Sequence, residues 1–149
     1  MIVGMGVDVV SLCGMRALLE TEDSAFEART FTPQERQYSR REGLGDPIEH
    51  LGARFAAKEA ALKALDQAAA AAGITPPGVP VSCIEVMRGQ RGRPALALHG
   101  AAAALAEAAG ADRGLLTLSH DGDTAIAVVI FERLLPLSSA TNATETNGA

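Results

Sequence analysis

The chain has 149 residues and 48% hydrophobic content, enough for one domain with a sizeable core and too little for two. A formal net charge of −5 and a pI near 5.1 argue against nucleic acid as the main partner. Aromatics make up 3% and Trp is absent, so the core must be built from small aliphatic side chains.

Ile2 to Val10 reads as a buried opening strand, rich in β-branched residues, with Gly4 and Gly6 permitting close packing. A short helix is expected from Ser11 to Glu20. Thr32-Pro33-Gln34-Glu35 is a capping box with Pro at the first helical position, opening a helix that runs to about Arg41. Gly43, Gly45 and Pro47 mark a turn. One long Ala-rich helix follows from about Ile48 to Ala72, stopped by Gly73 and the breakers Pro76, Pro77, Gly78 and Pro80. Ser82 to Met87 and Ala95 to Leu98 are strand candidates on either side of the basic turn Gly89-Gln90-Arg91-Gly92-Arg93-Pro94. Ala101 to Ala109 is a helix closed by Gly110. Leu115 to Ser119 and Thr124 to Phe131 are strands joined by the hairpin signal Asp121-Gly122-Asp123. Strands and helices segregated in this way predict an α+β domain over residues 1–133. Beyond Pro136 the composition shifts to Ser, Thr, Asn and Ala without periodicity, so 134–149 is expected to be a disordered tail.

Cys13 and Cys83 have neither CxxC nor Cys/His spacing, so a disulfide framework and a zinc site are disfavoured. Two reduced, buried thiols fit a cytoplasmic protein. The apolar N-terminus lacks a basic region and carries Asp8, unlike a signal peptide. No segment reaches the roughly 20 apolar residues of a membrane span.

The chemistry concentrates in a few places. A carboxylate inside an apolar strand, as at Asp8, costs on the order of several kcal/mol unless it is paired, coordinated or at an exposed strand end. The helix segment Arg54-Phe55-Ala56-Ala57-Lys58-Glu59-Ala60-Ala61-Leu62-Lys63 holds both lysines of the chain. Arg54 and Lys58 share a face, as do Glu59 and Lys63. The latter also reads as an ordinary stabilising pair. His120 ends an apolar strand within Ser119-His120-Asp121. Those three residues are sequential and lack a nucleophile elbow, which disfavours a catalytic triad. No P-loop occurs, and Gly4-Met5-Gly6 lacks the third glycine of a dinucleotide fingerprint. Asp8 and Glu59 together suit one Mg²⁺, which takes one or two carboxylates plus waters and substrate phosphates. Arg54, Lys58, Lys63 and His120 would then bind those phosphates, forming a phosphoryl-transfer site without a covalent nucleophile.

Four segments in order, Gly6-Val7-Asp8-Val9-Val10, Arg54 to Ala60, Gly92-Arg93-Pro94 and Leu118-Ser119-His120-Asp121, resemble the holo-acyl-carrier-protein synthase family of 4'-phosphopantetheinyl transferases over residues 1 to about 133. The resemblance implies a mainly antiparallel sheet packed on a long helix, assembled as a homotrimer with active sites between subunits. It implies transfer of phosphopantetheine from coenzyme A to a serine of an apo acyl carrier protein, releasing adenosine 3',5'-bisphosphate. Asp8 and Glu59 would be the Mg²⁺ ligands, and Lys63 would contact the pyrophosphate. Arg54 and His120 would bind the 3'-phosphate, and Pro94 would border the adenine. The serine proton would go to Glu59 or to a water held by the metal. Where the family carries an acidic and then a basic docking residue after the first strand, this chain has Ser11 and Gly14. Arg16, Arg29, Arg36 and Arg40 are therefore the candidates for docking an acidic carrier protein. The segment from Asp66 to Pro80 is longer than the family pattern. The carrier could serve fatty acid, polyketide or peptide synthesis. A non-catalytic module binding coenzyme A or a carrier protein, and another Mg²⁺-dependent enzyme acting on a nucleotide, are the alternatives.

Overall fold

The computed structural model describes residues 1–21, 25–41 and 43–135, so the expected tail lies outside the described residues from position 136 onward. In chain order the elements are β1 (Ile2–Ser11), α1 (Leu12–Thr21), α2 (Ala25–Thr30), α3 (Pro33–Ser39), α4 (Pro47–Ala71), β2 (Ile84–Arg88), β3 (Pro94–Leu98), α5 (Gly100–Ala109), β4 (Arg113–Asp121) and β5 (Thr124–Glu132). Two antiparallel sheets form, one ordered β1-β5-β4 and the other the pair β2-β3.

Helix α4 is the axis of the molecule. Its 25 residues span roughly 37 Å at the helical rise. It starts where Asp46 accepts a hydrogen bond from the Ile48 amide and Pro47 occupies the first turn, so the proline expected in a turn opens the helix instead. Alanines 56, 57, 60, 61, 64, 68 and 69 are buried together with Leu65. Apolar small residues on most of its circumference mean that α4 is wrapped by other elements rather than laid on one surface. Phe131, Val129 and Ala127 of β5 and Leu105 of α5 complete the main core.

Strand β1 crosses α4 so closely that only glycine fits at the crossing. A Cβ at Gly6 would lie 1.9 Å from the Ala60 carbonyl oxygen, and one at Gly4 would lie 2.0 Å from that of Ala64. Helix side chains also satisfy the free edge of this strand. The Met5 amide donates to Gln67 Oε1 at 3.1 Å, and Lys63 Nζ donates to the Val7 carbonyl at 3.2 Å.

The strand is buried on one face only. Gly4, Gly6 and Val10 are buried, whereas Met5, Val7 and Val9 alternate with them and are more than half exposed. The expectation of a fully buried strand is corrected accordingly: β-branched composition does not tell one covered face from two. The cysteine expectation is also corrected, since Cys13 is exposed and Cys83 half-buried. Among the described residues no helix is long and apolar enough to cross a membrane.

The capping box at Thr32 forms as read, with Thr32 Oγ1 accepting from the Glu35 amide and Glu35 accepting from the Thr32 amide. Glu35 does more than cap. It is buried and also accepts from the Val86 amide at 2.8 Å, which ties α3 to β2.

Candidate active site

The register of β1 decides where its carboxylate goes. Asp8 has the parity of Gly4, Gly6 and Val10, so it faces α4, just past the glycine crossing. There Asp8 Oδ1 accepts from Lys63 Nζ at 2.7 Å. Glu59, one helical turn before Lys63, completes the cluster. Burial raises the Glu59 carboxyl above its ordinary value, the negative charge of Asp8 adds to this, and Lys63 partly opposes it. Two carboxylates compressed beside one lysine form a site short of positive charge. That chemistry fits one hard cation held by two carboxylates, with its other positions left to water and phosphate oxygens. Among the described residues no group of three or more His, Cys, Asp or Glu side chains gathers at any point, this site included, so a metal here would have two protein ligands.

A second centre lies at the N-terminal half of α4. Arg54, Pro94 and His120 line one cavity of about 200 Å³ together with Tyr38, His50 and Arg88. Strand β4 brings His120 there because it shares the parity of Leu116 and Leu118, which face the core. Arg54 is 7% exposed. Its Nη1 donates to the His50 carbonyl at 3.1 Å, while its Nε is buried without a hydrogen-bond partner. Burial lowers the Arg54 pKa, and the charge of Glu35 and the neighbouring Tyr38 act in the opposite sense. Sequence reading missed Tyr38, His50 and Arg88. Tyr38 is the only tyrosine of the chain, and Arg88 directly precedes the basic turn, so both carried a faint signal.

Lys58 does not join either centre, which corrects its assignment as a phosphate ligand. It is fully buried, and its Nζ lies 2.8 Å from Glu35 Oε2 and donates to the Ile84 carbonyl. Burial lowers its pKa, and Glu35 restores part of the loss. Its ammonium is consumed in joining α3, α4 and β2.

The docking arginines are spread over three helices. Arg16 on α1 pairs with Asp46 at 2.5 Å, and Arg40 holds Glu27 through two hydrogen bonds of 2.6 and 2.8 Å. Arg29 is exposed on α2, and Arg36 is half-buried with its Nε enclosed and unpartnered. Beside the charged cluster, Lys63 also edges a cavity of about 410 Å³ walled by Leu62, Leu65, Pro76, Pro77 and Leu105.

Comparisons with known proteins agree on one family. The model of the 4'-phosphopantetheinyl transferase superfamily matches residues 4–129. A holo-[acyl-carrier-protein] synthase of Anaeromyxobacter dehalogenans is 43% identical over 135 residues, covering 89% of this chain and 97% of that one. The synthase of Solidesulfovibrio magneticus is likewise 43% identical, over 89% of this chain and 99% of its own length. Among solved structures, an ACPS–coenzyme A complex from Chronobacterium ammoniagenes superposes with a TM-score of 0.74 at 37% identity, over 89% of this chain and 98% of that one. The holo-[acyl-carrier-protein] synthase of Neisseria meningitidis gives a TM-score of 0.71 at 33% identity, over 89% and 100% respectively. A mixed fold of antiparallel sheet on a central helix and a family match over most of its length lead to one conclusion: the chain belongs to the 4'-phosphopantetheinyl transferase superfamily of enzymes.

Proposed function

We propose that this chain transfers 4'-phosphopantetheine from coenzyme A to a serine of an apo acyl carrier protein, with Mg²⁺ as its metal. The observation that carries the reading is the Asp8–Glu59–Lys63 cluster beside the glycine crossing, whose Lys63 also edges a largely apolar cavity. A ligand with a charged diphosphate and a less polar arm matches that pair of features. Asp8 and Glu59 are the residues that would hold Mg²⁺, which when bound supplies neutralisation of phosphate charge. Lys63, more than half exposed, offers its ammonium to the same diphosphate. Arg54 and His120 receive the 3'-phosphate, and Pro94 borders the adenine.

In the reaction the serine oxygen forms a bond to the phosphorus that carries pantetheine. The anhydride P–O bond breaks, and adenosine 3',5'-bisphosphate leaves with the electron pair. Glu59, or a water held by the metal, takes the serine proton. Arg16, Arg29, Arg36 and Arg40 are proposed to meet the acidic carrier, and the chain is proposed to work in the cytoplasm. Assembly as a homotrimer is supported by the outer face of the β1-β5-β4 sheet, where Met5, Val7, Val9, Leu115 and Ile126 are exposed side by side.

The test is direct. Purified protein is mixed with coenzyme A, Mg²⁺ and a panel of apo carrier proteins, and intact masses are recorded. One phosphopantetheine adduct on one serine, lost when a chelator is added, is expected. Coenzyme A binding without any carrier gaining mass would replace the reading with a non-catalytic binding module.

A further inference from the structure

The Arg54 guanidinium is held in an unusual way for a buried cation. No carboxylate hydrogen-bonds to it among the described residues. Its guanidinium carbon instead lies 4.4 Å from the centre of the Tyr38 ring, within cation–π range. The ring is itself braced edge-on by His50, with centroids 5.7 Å apart and planes at 83°. His50 in turn is fixed by its Nε2, which donates to the Leu44 carbonyl at 2.7 Å. Glu35, the nearby buried carboxylate, is occupied by Lys58 and by the amides of Thr32 and Val86.

An aromatic face and a carboxylate position an arginine with different consequences. A carboxylate would neutralise the guanidinium and occupy the N–H fork that an incoming phosphate needs. A ring fixes the plane from one side and takes up no carboxylate-binding edge; with Nη1 on the His50 carbonyl and Nε enclosed, the remaining N–H groups are left for a phosphate. The enclosed Nε has no partner, so no side chain of the described residues neutralises that edge of the guanidinium.

We infer that Tyr38 is a positioning residue for coenzyme A recognition: its ring holds the Arg54 guanidinium flat and unneutralised in the cavity shared with His120, ready for a terminal phosphate. The inference rests on the reading of Arg54 as the 3'-phosphate ligand. It assigns discrimination between coenzyme A and dephospho-coenzyme A, which lacks that phosphate, partly to a residue of α3 that touches no reacting atom.

The test compares wild type with Tyr38→Phe, Tyr38→Leu and Tyr38→Met, measuring kcat and KM for coenzyme A and for dephospho-coenzyme A. The Leu and Met variants should raise KM for coenzyme A about tenfold, the equivalent of one well-placed desolvated cation–π contact, with kcat nearly unchanged. Their KM for dephospho-coenzyme A should stay near the wild-type value, and Tyr38→Phe, which keeps the ring and loses only the hydroxyl beside Arg54, should lose clearly less than Leu or Met. Equal KM increases with the two substrates, or a loss in Phe as large as in Leu, would overturn the inference. Two variants without a ring guard against either one failing to fold. Failure of the underlying reading looks different: wild type would then transfer no phosphopantetheine, or would not distinguish the two substrates.

Discussion

Lys58 and Lys63 stand five residues apart on one helix, and their surroundings are opposite. Lys58 is sealed against Glu35 with both side chains 1% exposed or less, and its ammonium bridges elements that are distant in sequence. Lys63 has 54% of its side chain in solvent and leans on Asp8 at the rim of two cavities. The helical rotation between positions 58 and 63 carries the side chain from the α3/β2 side to the β1 side. Charge that is shut in and fully paired holds a fold together. Charge paired at an exposed rim, as Lys63 is with Asp8, is available to a ligand.

The largest expected effect is on the exposed side of this contrast. Asp8→Ala and Glu59→Ala should each lower phosphopantetheine transfer by on the order of 10²-fold or more, with the fold retained by circular dichroism, because each removes charge from the transferring centre alone. Near-normal transfer in either variant would end the assignment. Gly6→Ala should follow, since its Cβ would meet the Ala60 carbonyl at 1.9 Å. The strand must then lift from α4, costing about 1–3 kcal/mol or more and moving Asp8 away from Lys63. A thermal melt together with a transfer assay would show both losses. A normal melting temperature in Gly6→Ala would contradict the close crossing.

A smaller effect concerns pH. Glu59 has a folded-state pKa above its unfolded value, so its relative contribution to stability is fully present below the ordinary glutamate value. That contribution is lost as pH rises through the raised value. Glu59→Gln should therefore gain stability relative to wild type across that window and stay more stable at neutral pH, while losing transfer. Denaturant midpoints of the two proteins at several pH values check this, and parallel pH curves would contradict it.

Much of the fold was legible in the sequence, the contrast between the two lysines was not, and the limits are physical. The long helix, α5 and the β4–β5 hairpin announced themselves through composition and punctuation, because Gly73, Gly110 and Asp121-Gly122-Asp123 end or turn the chain locally. Asp8 betrayed itself as a carboxylate among apolar residues. Lys58 could not be separated from Lys63, since its partner Glu35 lies in another helix and had already been explained as a cap. The short helix α2 was not anticipated, although Ser24-Ala25-Phe26-Glu27 has the S-x-x-E pattern of a helix start. Tyr38 was passed over because its role depends on Arg54 and His50, which reach it only through the tertiary fold. The exposed face of β1 was hidden by its β-branched residues, which look alike whether or not a core covers them.

The most direct test of the central claim uses the two lysines against each other. Lys58→Met and Lys63→Met are each measured for denaturant stability and for phosphopantetheine transfer per folded molecule. Lys58→Met should lose about 3–5 kcal/mol, because Glu35 is left buried without its cation, yet retain transfer at temperatures where it is folded. Lys63→Met should change stability by about 1 kcal/mol or less, as for an exposed pair, and lose most of its transfer. If Lys58→Met kept its stability and lost transfer, or Lys63→Met kept full activity, the division between the two lysines would be wrong.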